Sequence, residues 1–285
     1  MRKLNAVDLL NNYKELKLKK KSSNTVDAYI SDLNQFFLFI SKDFDIIEQQ
    51  DIDDYITHLL SKNLKPKTIN RKLISIKQFI DFLNNSSEYG RKISVEVEVL
   101  KVQRQEYLEE VITQSDFDRL VRLAEREKDY RALAIFYTLY LTGLRVSELI
   151  TLKVLDKDKK AITVLGKGEK YRDILIPERL VEYLNIYIKE RKHKPTDYLF
   201  LNELRNTPMS RQSVHNVIKM YARLSKVKLS RAHAHNFRHL YCLRLAEEGL
   251  TIDEIADLAG HANINTTRIY TRKTKQDLIN VIRKL

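Results

Sequence analysis

Five short segments in the carboxy-terminal part of the chain carry cationic, proton-transferring and nucleophilic side chains. In chain order they are Thr142–Leu149, Gly166–Arg172, His235–His239, Leu258–His261 and Thr266–Tyr270. An arginine has a planar, permanently charged fork that binds two phosphate oxygens at once, and a tyrosine hydroxyl can attack phosphorus. Lysine and histidine can give or take the proton that such a reaction moves. These residue types are therefore those needed to break a phosphodiester and store its energy as a phosphotyrosine bond.

Spacing singles out some of these side chains. His235 and Arg238 are three residues apart, so a helix would place them on one face. His235 and His239 have the i, i+4 spacing of a zinc pair, but no glutamate follows His235 and no third ligand is evident. We therefore expect no metal site. We expect the lone cysteine, Cys242, to be a small buried apolar residue.

The charge of the chain indicates a polyanionic partner. There are 51 lysines and arginines against 38 aspartates and glutamates, which gives a formal net charge of +13. Such an excess favours DNA or RNA as the partner, although it could also serve only to keep the protein soluble. The single cysteine excludes an internal disulfide, no apolar run is long enough to span a bilayer, and the first residues lack a secretory leader. These features predict a cytoplasmic protein.

The elements that would position the five segments begin with helices. Apolar residues recur at helical spacing over 25–40, 50–61 and 68–83. The opposite face of the last of these helices could contact phosphates, or it could simply be hydrated. Residues 93–99 alternate like a short strand. The basic residues assigned to that opposite face are Lys67, Arg71, Lys72 and Lys77.

The rest of the chain combines helices with a hairpin. Thr113–Asp116 forms a capping box ahead of a helix, and strands are predicted at 161–165 and 171–176 around a glycine-containing turn. After Pro177 the pattern predicts helices to the end of the chain. The expected fold is mainly α with a small antiparallel sheet. The expected divisions are a helical domain over 1–104, a linker over 105–112 and a larger domain over 113–285.

In their order and separations, the five segments resemble the tyrosine recombinase (phage integrase) family, particularly its short Xer-like members. The helices at 23–37 and 67–82 resemble the core-binding domain of that family. The resemblance implies a two-domain architecture, with a helical core-binding domain and a mixed catalytic domain. It also implies site-specific DNA recombination through a 3′-phosphotyrosyl intermediate and a Holliday junction, with no cofactor and no metal.

The resemblance implies how the scissile phosphate would be held and attacked. Arg145 and Arg238 would grip the phosphate, and His261 would hydrogen-bond it. Tyr270 would attack it, leaving a 3′-phosphotyrosyl bond and a free 5′ hydroxyl. Tyr270 is one of 15 tyrosines, and its position nine residues after His261 distinguishes it from the others.

The other matched residues would move protons or support the arginines. Lys167 would protonate the leaving 5′ oxygen, although Lys170 on the same turn is an alternative donor. His235 would assist proton transfer at the tyrosine as a general acid and base. Glu148 would orient the first arginine or its helix, and His239 would hydrogen-bond within the core or near the phosphate.

The implied partner is duplex DNA with an inverted-repeat core site. A homotetramer would assemble on two such sites from protomers that associate weakly or not at all when free, and the protein would be nucleoid-associated in a prokaryote-like cell. Residues 275–285 predict a helix that either folds back or docks on a neighbouring protomer. The candidate DNA contacts are Lys67, Arg71, Lys72, Lys77, Arg172 and Arg211.

Two other functions remain open at this level. A type IB topoisomerase uses the same phosphotyrosine chemistry to relax supercoils without exchanging partners. A catalytically silent DNA-binding regulator would need the fold but not the nucleophile. Within the recombinase class, the role could be dimer or cointegrate resolution, or the excision and integration of a mobile element.

Overall fold

A computed structural model of the chain describes residues 6–42, 46–86, 92–101, 111–165, 171–191, 197–202, 205, 207–261, 264–271 and 283. The chain divides into two compact units, Met1–Arg104 and Gln105–Leu285. Both units are mostly helical, and the sheets are small and antiparallel, which confirms the predicted fold class. Within the described residues, no helix is long and apolar enough to cross a membrane.

The amino-terminal unit consists of helices around an aromatic-rich core. The helices are α1 (Ala6–Leu18), α2 (Ser23–Ile40), α3 (Gln49–Ser61) and α4 (Pro66–Asn84). The three predicted helices are present, and α1 is an addition that buries Leu9 and Tyr13. Helix α4 starts with proline at its first position, where the missing N–H group is not needed.

Residues 92–101 correct the prediction of a strand at 93–99. Within this described segment there is no β-strand, although Ile93 and Val97 are buried as the alternation requires. Side-chain amides take the place of a neighbouring strand. Asn84, Gln49 and Asn70 each bond both the N–H and the C=O group of one residue, at positions 93, 96 and 100 respectively, over 2.7–3.1 Å. Because these amides satisfy the backbone, no partner strand is required.

The basic face predicted on α4 also needs correction. Lys72 is buried, and its ammonium group donates to Asp32 Oδ1 at 3.0 Å and to Gln35 Oε1 at 2.6 Å. Arg71 is half-exposed and is paired with the same aspartate. Lys67 and Lys77 are exposed as predicted. Lys72 lies on the buried side because it is three residues after Ile69, which faces the core.

The carboxy-terminal unit begins with the predicted capping box. Thr113 Oγ1 accepts from Asp116 N, and the Asp116 carboxylate accepts from Thr113 N, both at 3.1 Å. The helices and strands that follow are α5 (Gln114–Arg126), α6 (Tyr130–Thr142), α7 (Val146–Leu149), β1 (Ala161–Leu165), β2 (Tyr171–Leu175), α8 (Glu178–Glu190), β3 (Leu201–Asn202), β4 (Thr207–Pro208), α9 (Arg211–Leu224), α10 (Ala234–Glu247), α11 (Ile252–Ala259) and α12 (Arg268–Thr271).

Helix α6 is the centre of this unit. Most of its residues are buried, and it packs against α5, α8 and α10. Strands β1 and β2 pair antiparallel from Ala161 opposite Leu175 to Leu165 opposite Tyr171, as the predicted hairpin requires. The short pair β3–β4 was not predicted, because the pattern after Pro177 indicated only helices. The packing of α10 on α6 fixes the helix that carries His235, Arg238 and His239.

Candidate active site

The predicted catalytic residues that the structure describes meet in one cavity of about 310 Å³. They come from four places in the chain: the residue before α7, helix α10, the second residue after the end of α11, and α12. Four of the five segments, which are far apart in the sequence, therefore meet at one location in the fold. The cavity is lined by Arg145, His235, Arg238, His239, His261, Thr266, Ile269 and Tyr270.

Two helix ends place the backbone of this site. Helix α6 ends at Gly143 and α11 ends at Gly260, both in the left-handed region with φ of 59° and 64°. A Cβ atom would lie 2.3 Å from the Tyr241 ring at position 143, and 2.2 Å from Arg172 Cδ at position 260. Glycine is thus required at both positions. The carbonyl of Gly260 accepts from Arg145 Nη2 at 2.8 Å, so this turn also orients an arginine.

Glu148 is a buried carboxylate shared by two arginines. It accepts from the backbone N–H and from Nη1 of Arg145, each at 2.8 Å, and from Arg172 Nη2 at 2.9 Å. Burial opposes the charge on Glu148, but the Arg145 N–H and the Arg172 guanidinium outweigh it and lower the pKa of the carboxyl group. Glu148 is therefore an ionised anchor for Arg145.

The position of Arg172 corrects its prediction as a DNA contact. Its side chain is only 8% exposed, and besides Glu148 it donates to the Leu258 carbonyl. Arg172 therefore links β2 to the end of α11 and helps to hold Glu148, the carboxylate that binds Arg145. The sequence offered no signal for this, because a basic residue at the end of a hairpin turn is compatible with either location.

Arg238 is the buried cation of the site. It is 1% exposed, and the two partners described for its guanidinium are the backbone carbonyls of Gly143 and Ala259. Burial and repulsion by Arg145 and Arg172 lower its pKa to about 10, so it remains charged at neutral pH. Carbonyl dipoles orient the guanidinium but do not neutralise it. The cavity therefore has a surplus of positive charge suited to an anion.

Three histidines around the cavity are held in the neutral form. Burial, followed by repulsion from nearby cations, lowers the pKa of His261 to about 3 and that of His239 to about 4. Loss of hydration, with the charges of Arg238 and Arg145, also lowers the pKa of His235. His261 Nδ1 lies 2.9 Å from Thr267 Oγ1, which fixes the orientation of its ring.

Tyr270 lies against these histidines. The residue is 6% exposed, its hydroxyl is 2.6 Å from His239 Nδ1, and its ring is parallel to that of His261 with centroids 6.1 Å apart. The hydroxyl also contacts the thiol of Cys242, which is buried as predicted. Burial raises the pKa of Tyr270, so the phenol is protonated in this state.

Comparison with known families decides the assignment. The phage integrase family model matches residues 110–277, which is more than half of the chain. The chain belongs to the phage integrase family. A second model, the phage integrase N-terminal SAM-like domain, matches residues 10–87.

Relatives extend along nearly the whole chain. A tyrosine recombinase of Pseudothermotoga lettingae is 29% identical over 288 residues, covering 97% of this chain and 98% of that protein. The TnP I resolvase of Bacillus thuringiensis is 29% identical over 277 residues, covering 93% and 95% respectively. Together with the family match, these relatives confirm the predicted enzyme class, a tyrosine site-specific recombinase.

Solved structures agree with the fold. The crystal structure of XerA recombinase has a TM-score of 0.53 at 26% identity and covers 97% of this chain and 98% of that one. XerH recombinase bound to its difH substrate has a TM-score of 0.72 at 19% identity and covers 90% and 78%. These phage integrase family structures share the two-domain fold described above.

Some of the predicted site residues lie outside the cavity or outside the described part of the chain. Lys167 and Lys170 lie outside the described residues, as does nearly all of the tail helix predicted at 275–285. Arg211 is exposed at the first position of α9, where a phosphate could reach it. Among the residues that the structure describes, no group of three or more His, Cys, Asp or Glu could hold a metal ion.

Sequence reasoning missed several parts of the site in this family member. It did not identify the carbonyls of Gly143, Ala259 and Gly260 as acceptors for the arginines. The glycines of the Thr-Gly and Gly-His pairs were a usable signal, because a glycine marks the end of a helix, where the last carbonyls have no donor within the helix. The contact of Cys242 with Tyr270 had no comparable signal, since a cysteine in a helix is ordinarily a packing residue.

Proposed function

We propose that the chain cuts and rejoins duplex DNA at a specific site, with Tyr270 as the nucleophile. The observation that carries the proposal is the cavity that joins the Tyr270 hydroxyl to Arg145 and to Arg238, whose hydrogen-bond partners within the described residues are carbonyls and not a carboxylate. A phosphodiester would supply the missing negative charge. Its phosphorus would then lie between the arginines and the attacking oxygen.

The transition state would be stabilised mainly by the arginines. Charge accumulates on the non-bridging oxygens as the tyrosine oxygen attacks, and preorganised cations lower the free energy of that state. Arg145 is fixed by Glu148 and Gly260, and Arg238 by two carbonyls, so neither needs to reorganise when the charge develops. His261, oriented by Thr267, would donate a hydrogen bond from its other ring nitrogen.

The leaving 5′ oxygen needs a proton. By its place in the matched hairpin segment we assign this role to Lys167, with Lys170 as the alternative donor. The products would be a 3′-phosphotyrosyl bond and a free 5′ hydroxyl. The same groups acting in reverse would join the tyrosine-bound strand to a 5′ hydroxyl from a second duplex.

Recombination would follow when two cleaved duplexes exchange strands through a Holliday junction. We propose that four protomers act on two inverted-repeat sites, with the amino-terminal unit as the core-binding domain and residues 275–285 docking on a neighbouring protomer. A structure of lambda integrase shows a dimer on a core site, and structures of XerH show pre-cleavage and post-cleavage complexes. The similarity to the TnP I resolvase favours a role in resolving DNA dimers or cointegrates. We propose that the protein acts in the nucleoid.

Covalent capture tests this function. The protein is mixed with sheared genomic DNA from its source, denatured, and the DNA that remains bound is sequenced at its ends. Adducts should collect at one inverted-repeat sequence and should disappear in Tyr270→Phe, which keeps the ring but has no nucleophile. Adducts at many unrelated sequences would indicate a topoisomerase. If the protein bound a paired site without forming adducts, the remaining interpretation would be a catalytically silent DNA-binding regulator.

A further inference from the structure

The proposed reaction gives no function to the contact between Tyr270 and His239. The two atoms, Tyr270 Oη and His239 Nδ1, are 2.6 Å apart, which is a short distance for a hydrogen bond between an oxygen and a nitrogen. Within the described part of the chain, no hydrogen bond joins His235 to this hydroxyl. The residue expected to assist the tyrosine is thus one helical turn away from the residue that touches it.

The position of His239 on α10 makes the contact possible. It is four residues after His235 and directly after Arg238, so its ring lies on the cavity side of the helix. The rings of His235 and His239 meet edge to face, with centroids 4.4 Å apart and an angle of 77°. His239 therefore separates His235 from Tyr270 along this face.

We propose that His239, and not His235, accepts the phenolic proton of Tyr270 as that oxygen attacks phosphorus. The inference rests on the proposed function, because it concerns the nucleophile of that reaction. In the forward step the O–H bond of Tyr270 breaks, the proton moves to His239 Nδ1, and the Tyr270 oxygen bonds to phosphorus. The bond from phosphorus to the 5′ oxygen breaks, and that oxygen takes a proton from its own donor. In the rejoining step His239 returns the proton to the departing tyrosine.

The surroundings of both groups fit this transfer. A buried phenol with a raised pKa does not ionise by itself, so an acceptor is needed at its hydroxyl. The Cys242 thiol cannot act as that acceptor, because burial raises its pKa to about 11 and it is therefore protonated. His239 has a lowered pKa of about 4 and is neutral, so its ring has a free lone pair at neutral pH.

Bound DNA would strengthen this base at the moment it is needed. The low pKa of His239 comes from burial and then from the charges of His235, Arg238 and His233. A phosphodiester held by Arg238 offsets part of that positive charge and favours the protonated ring. The acceptor is therefore weak in the free protein and stronger in the complex, which limits reaction of the tyrosine to occasions when a phosphate is in place.

The test combines two changes in the full chain. His239→Asn puts an amide oxygen where Nδ1 lies, so it can accept a hydrogen bond but cannot take a proton. Single-turnover cleavage of a nicked DNA site should slow about 100-fold, with the Kd for DNA unchanged. The second change replaces Tyr270 with 3,5-difluorotyrosine, whose phenol is more acidic and needs less help. In that background the loss caused by His239→Asn should shrink to less than about tenfold.

His235→Asn in the same two backgrounds is the matched control. An equal loss from His239→Asn with both tyrosines would show that His239 only positions the ring, and no loss at all would also overturn the proposal. A loss from His235→Asn that shrinks with difluorotyrosine would assign the base to His235 instead. Recovery with difluorotyrosine also excludes misfolding as the cause. Failure of the unaltered protein to form any adduct would instead remove the proposed function itself.

Discussion

Asp32 in the amino-terminal unit and Glu148 in the carboxy-terminal unit are buried carboxylates that each bind two cations, but the two clusters differ in whether a buried cation lacks a carboxylate partner. In the amino-terminal unit Asp32 is 1% exposed and binds Lys72 and Arg71, with Ser75 Oγ donating to it at 3.2 Å. The buried cation there, Lys72, has its carboxylate. The cluster joins α2 to α4, and its one surplus positive charge is carried with Arg71, whose side chain is 42% exposed to solvent.

In the carboxy-terminal unit Glu148 binds two arginines of the site, and a third arginine, Arg238, is buried in the same site. Arg238 has carbonyl acceptors in place of an anion. Burying a charge without compensation costs several kcal/mol, so a fold keeps such a residue only if something else requires it. Residue type alone does not distinguish a structural cation from a functional one. The two buried cations differ in that Lys72 has a carboxylate partner and Arg238 has carbonyl partners.

The largest expected effect comes from changing the uncompensated cation. Arg238→Lys keeps the charge but loses the planar fork, so it cannot hold both carbonyls and two phosphate oxygens. Covalent cleavage should fall about 100- to 1000-fold, as expected when one preorganised transition-state donor is lost, while DNA binding persists. Single-turnover cleavage and a filter-binding assay measure the two quantities.

The matched control for this change is Arg71→Lys in the other unit. Its side chain is 42% exposed, and a lysine can still reach Asp32, so cleavage should change less than about threefold. If both substitutions reduced cleavage equally, charge balance would not distinguish the two clusters.

Removing the carboxylate of the Asp32 cluster should mainly affect stability. Asp32→Asn leaves the Lys72 ammonium buried without an anion, which should lower the free energy of unfolding by about 3 kcal/mol. Urea unfolding followed by circular dichroism measures this loss. Adding Lys72→Met to the same variant should recover most of it, because no buried charge then remains. A double variant as unstable as the single one would show that the loss comes from packing.

The sequence predicted the fold and most of the site because both depend on local pattern. Helical periodicity located α2, α3 and α4, and the matched segments located Arg145, Arg238, His261 and Tyr270. It did not predict contacts that depend on tertiary packing. The acceptor for Arg172 is 24 residues away along the chain, at Glu148, and nothing local indicates it.

The prediction that Lys72 is exposed failed for a different reason. Its helical spacing indicated burial, but its charge was given more weight. Its spacing from Ile69 and Ile76 places it on the apolar face of α4, but its charge suggested the opposite face. The partner that allows its burial, Asp32, is 40 residues earlier in the chain. The strand predicted at 93–99 failed similarly, because amide side chains from three distant positions satisfy the backbone.

The histidine pKa values, which are lowered first by burial and then by nearby positive charges, should also make stability depend on pH. The pKa values of His239 and His261 are lowered from 6.5 to about 4 and about 3, so below pH 6.5 the unfolded chain binds protons that the folded chain does not. Stability should therefore fall as the pH drops from 7 to 5, by roughly 2 kcal/mol for each histidine.

Thermal unfolding at several pH values measures this dependence. His239→Asn should flatten it, because one of the histidines with a lowered pKa is gone. Bound DNA should flatten it as well, since the phosphate offsets the positive charge. The same slope in the variant and in the unaltered protein would mean that His239 does not titrate abnormally.

The smallest expected effect concerns the exposed lysines of α4. Lys67 and Lys77 are free to reach phosphates, whereas the Lys72 ammonium is held by Asp32 and Gln35 inside the amino-terminal unit. Removing one lysine that neutralises a phosphate should reduce the slope of log K against log salt by about 1. Lys67→Ala with Lys77→Ala should therefore flatten the salt dependence of DNA binding, and Lys72→Met should leave its slope unchanged. Titrations at several salt concentrations decide this. A flatter slope for Lys72→Met would show that a paired, buried cation still contributes to DNA binding, and the distinction between the two clusters would then hold for catalysis alone.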